Sequence, residues 1–261
     1  MAFTFSSSLV WYMIYPPYEE AAARIRAAQR MIAFTGAGIS EESGIPTFNR
    51  EDGLWIRYDP VCIEINNFLC DPRESWENIR EIFYDALSCA SPGLAHYTLA
   101  EMEMNGYLSA VITQNIDNLH QEAGSSVIHE FHGTARILKC LGCGGRYPVS
   151  ETDLCLLPPC CGRCGGVLKP DFVFFGESVS EETEQDSLFE IESSDLLLLI
   201  GTAGEVEPAC FIPYIAKENG AGIIEINTEA SHYTRSISDI FLQGPAGEML
   251  EELMEILDRD R

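Results

Sequence analysis

An α/β fold, a doubly wound parallel sheet with a smaller cysteine-bearing module set into it, is the architecture that this chain of 261 residues predicts. Three features predict it. Several short apolar runs end in small or polar residues, as strands buried on both faces of a parallel sheet do. The first of these runs leads directly into Gly36-Ala37-Gly38, a tight turn behind a buried strand. Two Cys-x-x-Cys pairs, Cys140/Cys143 and Cys161/Cys164, then interrupt the pattern near its middle.

The elements follow in order. Residues 21–30 are Ala-rich, with Arg24, Arg26 and Arg30 toward the end, and predict a helix. Residues 31–34 form a continuous apolar run and predict a strand; 108–113, 196–201 and 223–227 predict further buried strands whose carboxyl ends make the ligand-bearing edge of the sheet. Residues 248–257 put Met249, Leu250, Leu253, Met254 and Leu257 on one helical face.

Seventeen residues separate Cys143 from Cys161, and Gly142, Gly144, Gly145, Gly162, Gly165 and Gly166 crowd both pairs. Two tight turns offering four thiolates at that spacing suit one tetrahedral Zn²⁺. Four sulfurs close the coordination shell, so the expected metal is structural. Buried thiols or a redox pair compete with that reading for a single Cys-x-x-Cys, and the second pair at ribbon spacing favours zinc. Cys160, next to Cys161, is an alternative ligand at altered spacing. Cys62, Cys70, Cys89, Cys155 and Cys210 lack ligand spacing and read as core or surface thiols.

Composition bounds the function. A chain that is 46% hydrophobic suits one large domain carrying an insertion. Its 16 Lys plus Arg against 41 Asp plus Glu give a net charge of −25, which argues against a nucleic-acid partner because no basic stripe can displace phosphate counterions. The acidity suits a solubilising shell, an adaptation to salt, or the steering of a basic peptide. Ten cysteines with four assigned to a metal suit a reducing compartment, the cytoplasm by default. The apolar stretch Leu9 to Tyr15 has no Lys or Arg before it and is far shorter than a membrane span, so residues 1–15 read as a packed extension rather than a signal peptide.

Gly36-Ala37-Gly38 lets backbone N–H groups approach a diphosphate, although a generic strand-to-helix turn has the same look and the third glycine, Gly44, arrives late. Gln114-Asn115-Ile116-Asp117 follows a predicted strand and so delivers an amide pair and a carboxylate into the same crevice. His132 follows Asp117 by fifteen residues and immediately precedes the cysteine module. A lone His is commonly structural; among these polar neighbours it is a candidate for chemistry.

Together these residues resemble the sirtuins, NAD-dependent protein deacylases, from about Ala22 to the C-terminus. Gly36-Ala37-Gly38-Ile39-Ser40 with Ser43-Gly44-Ile45-Pro46 is similar to the family's first cofactor motif, and Gln114-Asn115-Ile116-Asp117 to its second. His132-Gly133, the four cysteines, Lys169-Pro170 with Val173-Phe174-Phe175-Gly176-Glu177, and Asn227-Thr228-Glu229 match in the same order. The resemblance implies a Rossmann-like domain (16–50, 92–135 and 170–261), a small domain made of a helical module (51–91) and a zinc ribbon (136–169), and a cleft between them where NAD meets an acylated lysine. It implies that His132 is the base on a ribose hydroxyl and that Asn115 and Asp117 hold the nicotinamide carboxamide. Gln114 would meet the ribose, Ser40 and Phe48 would belong to the cofactor loop, and Gly201, Thr202, Asn227, Thr228 and Glu229 would line the adenosine half. Val173 to Glu177 would take the substrate peptide by strand addition.

Three positions depart from the family pattern. Asn49 stands where an Arg usually orders the cofactor loop. Tyr84 is followed three residues later by Leu87 rather than by the Arg that pairs with acidic acyl groups, which implies acetyl or longer apolar acyl substrates. Ala203-Gly204 replaces a Ser-containing loop. Three function classes therefore stand side by side: a deacylase, an enzyme that consumes NAD by ADP-ribosyl transfer or hydrolysis, and a module that binds NAD or acyl-lysine without turnover.

Overall fold

A computed structural model of the chain describes residues 17–47, 53–85 and 89–259. Six strands form one sheet: β1 (Met31–Thr35), β2 (Leu108–Thr113), β3 (Ile128–Glu130), β7 (Leu196–Ile200), β8 (Gly222–Asn227) and β9 (Ile240–Gln243). A second sheet holds β4 (Gly133–Cys140), β5 (Arg146–Pro148) and β6 (Leu168–Phe172).

The large sheet is parallel throughout, in the order β3-β2-β1-β7-β8-β9. The chain builds outward from β1 on one side and from β7 on the other, so strand order reverses between them; this is the doubly wound arrangement, with its crevice at that point. The side-chain period of two divides the apolar strands between the two faces. Met31, Ala33, Leu196, Leu198 and Ile200 pack on one face, against the helices Tyr18–Ala27, Leu94–Met104 and Ala246–Arg259. Ile32, Phe34, Leu197 and Leu199 pack on the other, with Ile191 and Ile212 from the helices Glu181–Glu192 and Ile212–Glu218.

The four predicted strands form within a residue of their expected ends. The first helix does not: it spans Tyr18–Ala27 instead of 21–30. Pro17 caps it and Glu19 and Glu20 occupy its first turn, where acidic side chains complement the helix dipole. It stops early because the Asp195 carboxylate accepts from the backbone N–H groups of Gln29 (2.7 Å) and Arg30 (2.9 Å), turning the chain into β1. The last helix is longer than expected, Ala246–Arg259.

A third core joins the helices of residues 54–85 to the small sheet. Phe68, Trp76, Ile79 and Phe83 pack with Leu138, Leu168, Phe172 and Phe174. Because that core is shared, the helical module and the cysteine module are one packed unit. The antiparallel pairing of β6 with β4 carries this unit back to the large sheet, since β4 begins at Gly133 directly behind the end of β3.

Candidate active site

Three glycines bring the loops after β1 and β7 into contact. Gly36 N–H donates to Ile200 O (3.0 Å) and Gly38 N–H to Gly201 O (2.9 Å). A Cβ on Gly36 would lie 2.8 Å from Gly201 O, and one on Gly38 2.8 Å from Gly201 Cα. Gly201 itself has φ of 61°, and its Cβ would lie 2.5 Å from Ile39 N. No other residue fits a left-handed backbone under such crowding. The third glycine of the crossing is thus Gly201, brought from a neighbouring strand. Gly44 ends the short helix Ala37–Ser43 with φ of 80° and has open space around it.

At the end of β2 the polar residues converge. Asp117 Oδ2 accepts from the Ser40 hydroxyl (2.7 Å), and its Oδ1 accepts from Leu119 N–H (3.0 Å). Asn115 Nδ2 donates to Gly36 O and to Ser40 Oγ, both at 3.1 Å. Gln114 Nε2 donates to Thr202 Oγ1 (3.0 Å), and Asn227 Nδ2 donates to Thr202 O (3.0 Å), tying the loops after β2, β7 and β8 together. His132 Nδ1 lies 3.0 Å from Gln114 O. A carbonyl only accepts, so Nδ1 carries the proton and Nε2 keeps its lone pair. Burial pushes the His132 pKa down, and the Gln114 carbonyl partly offsets this. The imidazole is consequently neutral, and able to take a proton, at neutral pH.

Behind these groups lies a buried layer that the sequence reading missed. Thr35 Oγ1 donates to Thr113 Oγ1 (2.8 Å), which also accepts from Asn115 N–H (3.1 Å). His120 Nε2 meets Thr35 Oγ1 at 3.0 Å, and the His96 and His120 rings lie 4.9 Å apart. Burial lowers His96 to about 4 and His120 to about 3, so both are neutral props. His120 stands three residues after Asp117, just beyond the motif already singled out, whereas His96 comes from a helix with no local signal. Glu225, buried in β8, was missed as well. Its carboxylate accepts from the hydroxyls of Ser231 (2.5 Å), Thr234 (2.9 Å) and Ser238 (2.6 Å), which folds the loop after β8 toward the crevice.

A cleft of about 910 Å³ gathers the predicted residues. Gly36, Ala37, Gly38, Ser40, Gln114, Asn115, Asp117, His132, Gly201, Thr202, Asn227, Thr228 and Glu229 all line it, and so do Val173 to Glu177. Phe48, Asn49 and Arg50 lie outside the described residues, as do Leu87 and residues 1–15. Tyr84 does not line the cleft; its ring stacks on Trp76 with centroids 5.8 Å apart, and its neighbours Ile82 and Phe83 line the cleft in its place.

Residues 173–177 are not a strand, because β6 ends at Phe172. Phe175 makes a single parallel bridge with Glu64, its N–H donating to Ile63 O (2.9 Å) and its carbonyl accepting from Ile65 N–H (3.0 Å). Val173 N–H donates to His132 O (2.8 Å). Lys169, 6% exposed, directs Nζ to Pro170 O (3.0 Å), Phe172 O (2.8 Å) and Glu177 Oε2 (2.8 Å). Burial lowers its pKa, and Glu177 opposes that shift.

The sulfurs of Cys140, Cys143, Cys161 and Cys164 lie within 4.8 Å of one another. Cys140 and Cys164 approach to 3.5 Å, and Cys143 and Cys161 to 3.7 Å. A tetrahedral zinc about 2.3 Å from each sulfur requires sulfur separations of about 3.8 Å, so the donor set fits. The Tyr147 hydroxyl lies 2.9 Å from Cys161 Sγ and lowers the pKa of that thiol, favouring the thiolate a metal needs. Cys160 is outside the cluster, exposed, with its thiol directed at Pro158 O (3.5 Å).

Comparison with known proteins agrees with this geometry. The Sir2 family model matches residues 36–208, more than half of the chain. The NAD-dependent protein deacylase 2 of Pyrobaculum aerophilum is 44% identical over 243 residues, covering 90% of this chain and 94% of that protein. A solved Sir2 homolog–NAD complex is 36% identical and superposes with a TM-score of 0.86, covering 92% of this chain and 94% of its own. A solved Sir2–p53 peptide–NAD⁺ complex is 30% identical with a TM-score of 0.82, covering 91% and 97%.

Proposed function

The chain belongs to the Sir2 family, and from that premise we infer that it is an NAD-dependent protein lysine deacylase. Its substrates are NAD, an acyl-lysine protein or peptide and one water; its products are nicotinamide, O-acyl-ADP-ribose and the free lysine. The observation that carries the reading is His132. Its Nδ1–H is committed to Gln114 O, which leaves Nε2 bare in a cleft shared with Ser40, Asn115 and Asp117.

In this reading Asn115 and Asp117 orient the nicotinamide carboxamide, with Ser40 locking the Asp117 rotamer. Gln114 meets the ribose, and the Gly36–Gly38 turn approaches the diphosphate with backbone N–H groups. Thr202, Asn227, Thr228 and Glu229 take the adenosine end. As the bond to nicotinamide breaks, the acyl carbonyl oxygen bonds to the ribose carbon. His132 Nε2 then accepts a ribose hydroxyl proton, the task of a base titrating near or below neutrality, so that this hydroxyl oxygen adds to the acyl carbon. The lysine amine leaves with a proton as the acyl C–N bond breaks, and water adds to complete the acyl ester. The Asp117 carboxylate offsets positive charge that develops on the ribose. The four thiolates hold Zn²⁺, which supplies folding energy to the small unit and takes no part in the reaction.

The finer readings follow the same evidence. Glu41, Glu205, Glu207 and Glu229 line the cleft beside Asp117, and no Lys or Arg does so among the described residues, which supports a basic peptide. Leu54, Ile63, Ile82 and Phe83 give the small-domain wall an apolar character, which supports acetyl or longer apolar acyl groups. Among the described residues no helix is long and apolar enough to cross a membrane. We assign the chain to the cytoplasm on its cysteine content, and divide it into Rossmann-like, helical, ribbon and N-terminal parts along the boundaries given above. NAD consumption without deacylation, motivated by Asn49, is the second enzymatic reading.

The test is a His132→Ala variant followed by calorimetric NAD titration and by peptide deacetylation. Retained NAD affinity with deacetylation reduced at least ~10²-fold is the expected result. Unchanged deacetylation would remove His132 from the mechanism.

A further inference from the structure

The loop that faces the substrate is organised around a half-buried ion pair, in which Lys169 is buried and Glu177 is partly exposed. Lys169 Nζ has three protons and three acceptors, Pro170 O, Phe172 O and Glu177 Oε2, so its hydrogen-bonding capacity is filled. Glu177 Oε2 in turn accepts from Phe174 N–H at 2.9 Å. The ammonium also sits 3.9 Å from the centre of the Phe174 ring. Phe172 and Phe174 are buried, while Phe175 is 45% exposed at the cleft. The pair therefore fixes the backbone on both sides of Val173, whose own N–H is bonded to the carbonyl of His132. A buried ammonium is costly to leave without its partner, which suits Lys169 to hold one backbone conformation.

We propose that Lys169 is a positioning residue for the peptide-facing loop, acting through Glu177 to set the backbone of Phe172 to Glu177 for binding the acyl-lysine substrate. The proposal rests on the deacylase reading of the cleft. It assigns Glu177 a different part from the one its sequence position implies: its carboxylate turns inward to Lys169 and to Phe174 N–H rather than being reserved for the substrate. The adenosine half of the cleft is built by Thr202, Asn227 and the glycine crossing, none of which touches the pair. Peptide binding and NAD binding should consequently separate when the pair is altered.

The experiment uses the full-length, zinc-loaded protein and an acetyl-lysine peptide. Steady-state constants for peptide and for NAD are measured for wild type, Lys169→Met, Lys169→Arg and Glu177→Gln, with NAD affinity measured separately in the absence of peptide. Lys169→Met is expected to raise the peptide KM about tenfold, equivalent to about 1.4 kcal/mol, while NAD affinity moves less than about twofold. Lys169→Arg keeps a cation for Glu177 and is expected to recover part of that loss. Glu177→Gln keeps an acceptor for Phe174 N–H at a partly exposed position, stays folded, and is expected to raise the peptide KM by a smaller factor. Should Lys169→Met fail to fold, Glu177→Gln decides. A peptide KM unchanged in a folded variant, or equal losses for NAD and peptide, would overturn the proposal. Absence of peptide-dependent turnover in the wild type would instead overturn the deacylase reading itself.

Discussion

The two walls of the cleft are built by different means. The large-sheet wall is built mainly by packing and hydrogen bonds: a parallel apolar sheet, three glycines crossing within van der Waals limits, and a chain of hydroxyls, amides and neutral imidazoles around the carboxylates of Asp117 and Glu225. The small-domain wall depends on charge and sulfur: four cysteines, a pair between buried Lys169 and Glu177, and an Arg146–Asp171 pair at 2.5 Å. Close packing and backbone pairing hold the first wall rigid by itself. The second borrows its rigidity from a metal and from ion pairs, and in the proposed function it is this wall that meets the variable partner, the peptide. Perturbations should therefore divide between the two.

The largest effect is expected from Cys143→Ser. A structural zinc contributes its binding energy to folding, so the variant should lose stoichiometric zinc and the folded small unit, seen by metal analysis and by proteolysis within residues 53–85 and 133–172. Retained zinc and activity would contradict the four-cysteine assignment. On the other wall, Gly201→Ala forces a Cβ to 2.5 Å from Ile39 N at a left-handed backbone. It should cost ~1–3 kcal/mol in thermal stability and weaken NAD binding more than peptide binding. An equal effect on both substrates would mean that the walls are not separable.

Leu253→Ala removes a fully buried side chain from the helix that covers the large sheet. Loss of ~2–5 kcal/mol by denaturant unfolding is expected, with kcat little changed in the folded fraction. The smallest effect is on pH. His96 and His120 titrate at about 4 and about 3 in the folded protein but near the ordinary histidine value of about 6.5 when unfolded. Below 6.5 the unfolded chain binds protons that the folded one refuses, so stability falls as pH drops from 6.5. Between pH 6.5 and 5, above the carboxylate range, melting temperature should decline in wild type and less so in His120→Gln. A flat profile there would show that the pair is not held neutral.

The same contrast explains what was legible in the sequence. The large-sheet wall was read almost whole, since buried strands are continuous apolar runs and Gly36-Ala37-Gly38 and Gln114-Asn115-Ile116-Asp117 sit at strand ends. The four cysteines were equally plain, because metal geometry requires local pairs. Contacts between distant segments were not. Gly201 meets Gly38 only because β1 and β7 are neighbours in the sheet, and His96 reaches His120 only through the packing of its helix. Tyr84 has the spacing of a substrate residue, but stacking on Trp76 decides where its ring goes. Glu177 looks like a substrate group in the sequence, and its buried partner is eight residues away across a bend that no periodicity announces. The early end of the first helix depends on Asp195, from a different part of the chain.

Stoichiometry tests the central claim most directly. Nicotinamide release and formation of the deacetylated peptide should be followed in one reaction, with and without an acetyl-lysine peptide. A deacylase predicts release that requires the peptide and matches its deacetylation one for one. Nicotinamide released without peptide, or in excess over the deacetylated product, would contradict it and assign the cleft to NAD consumption instead.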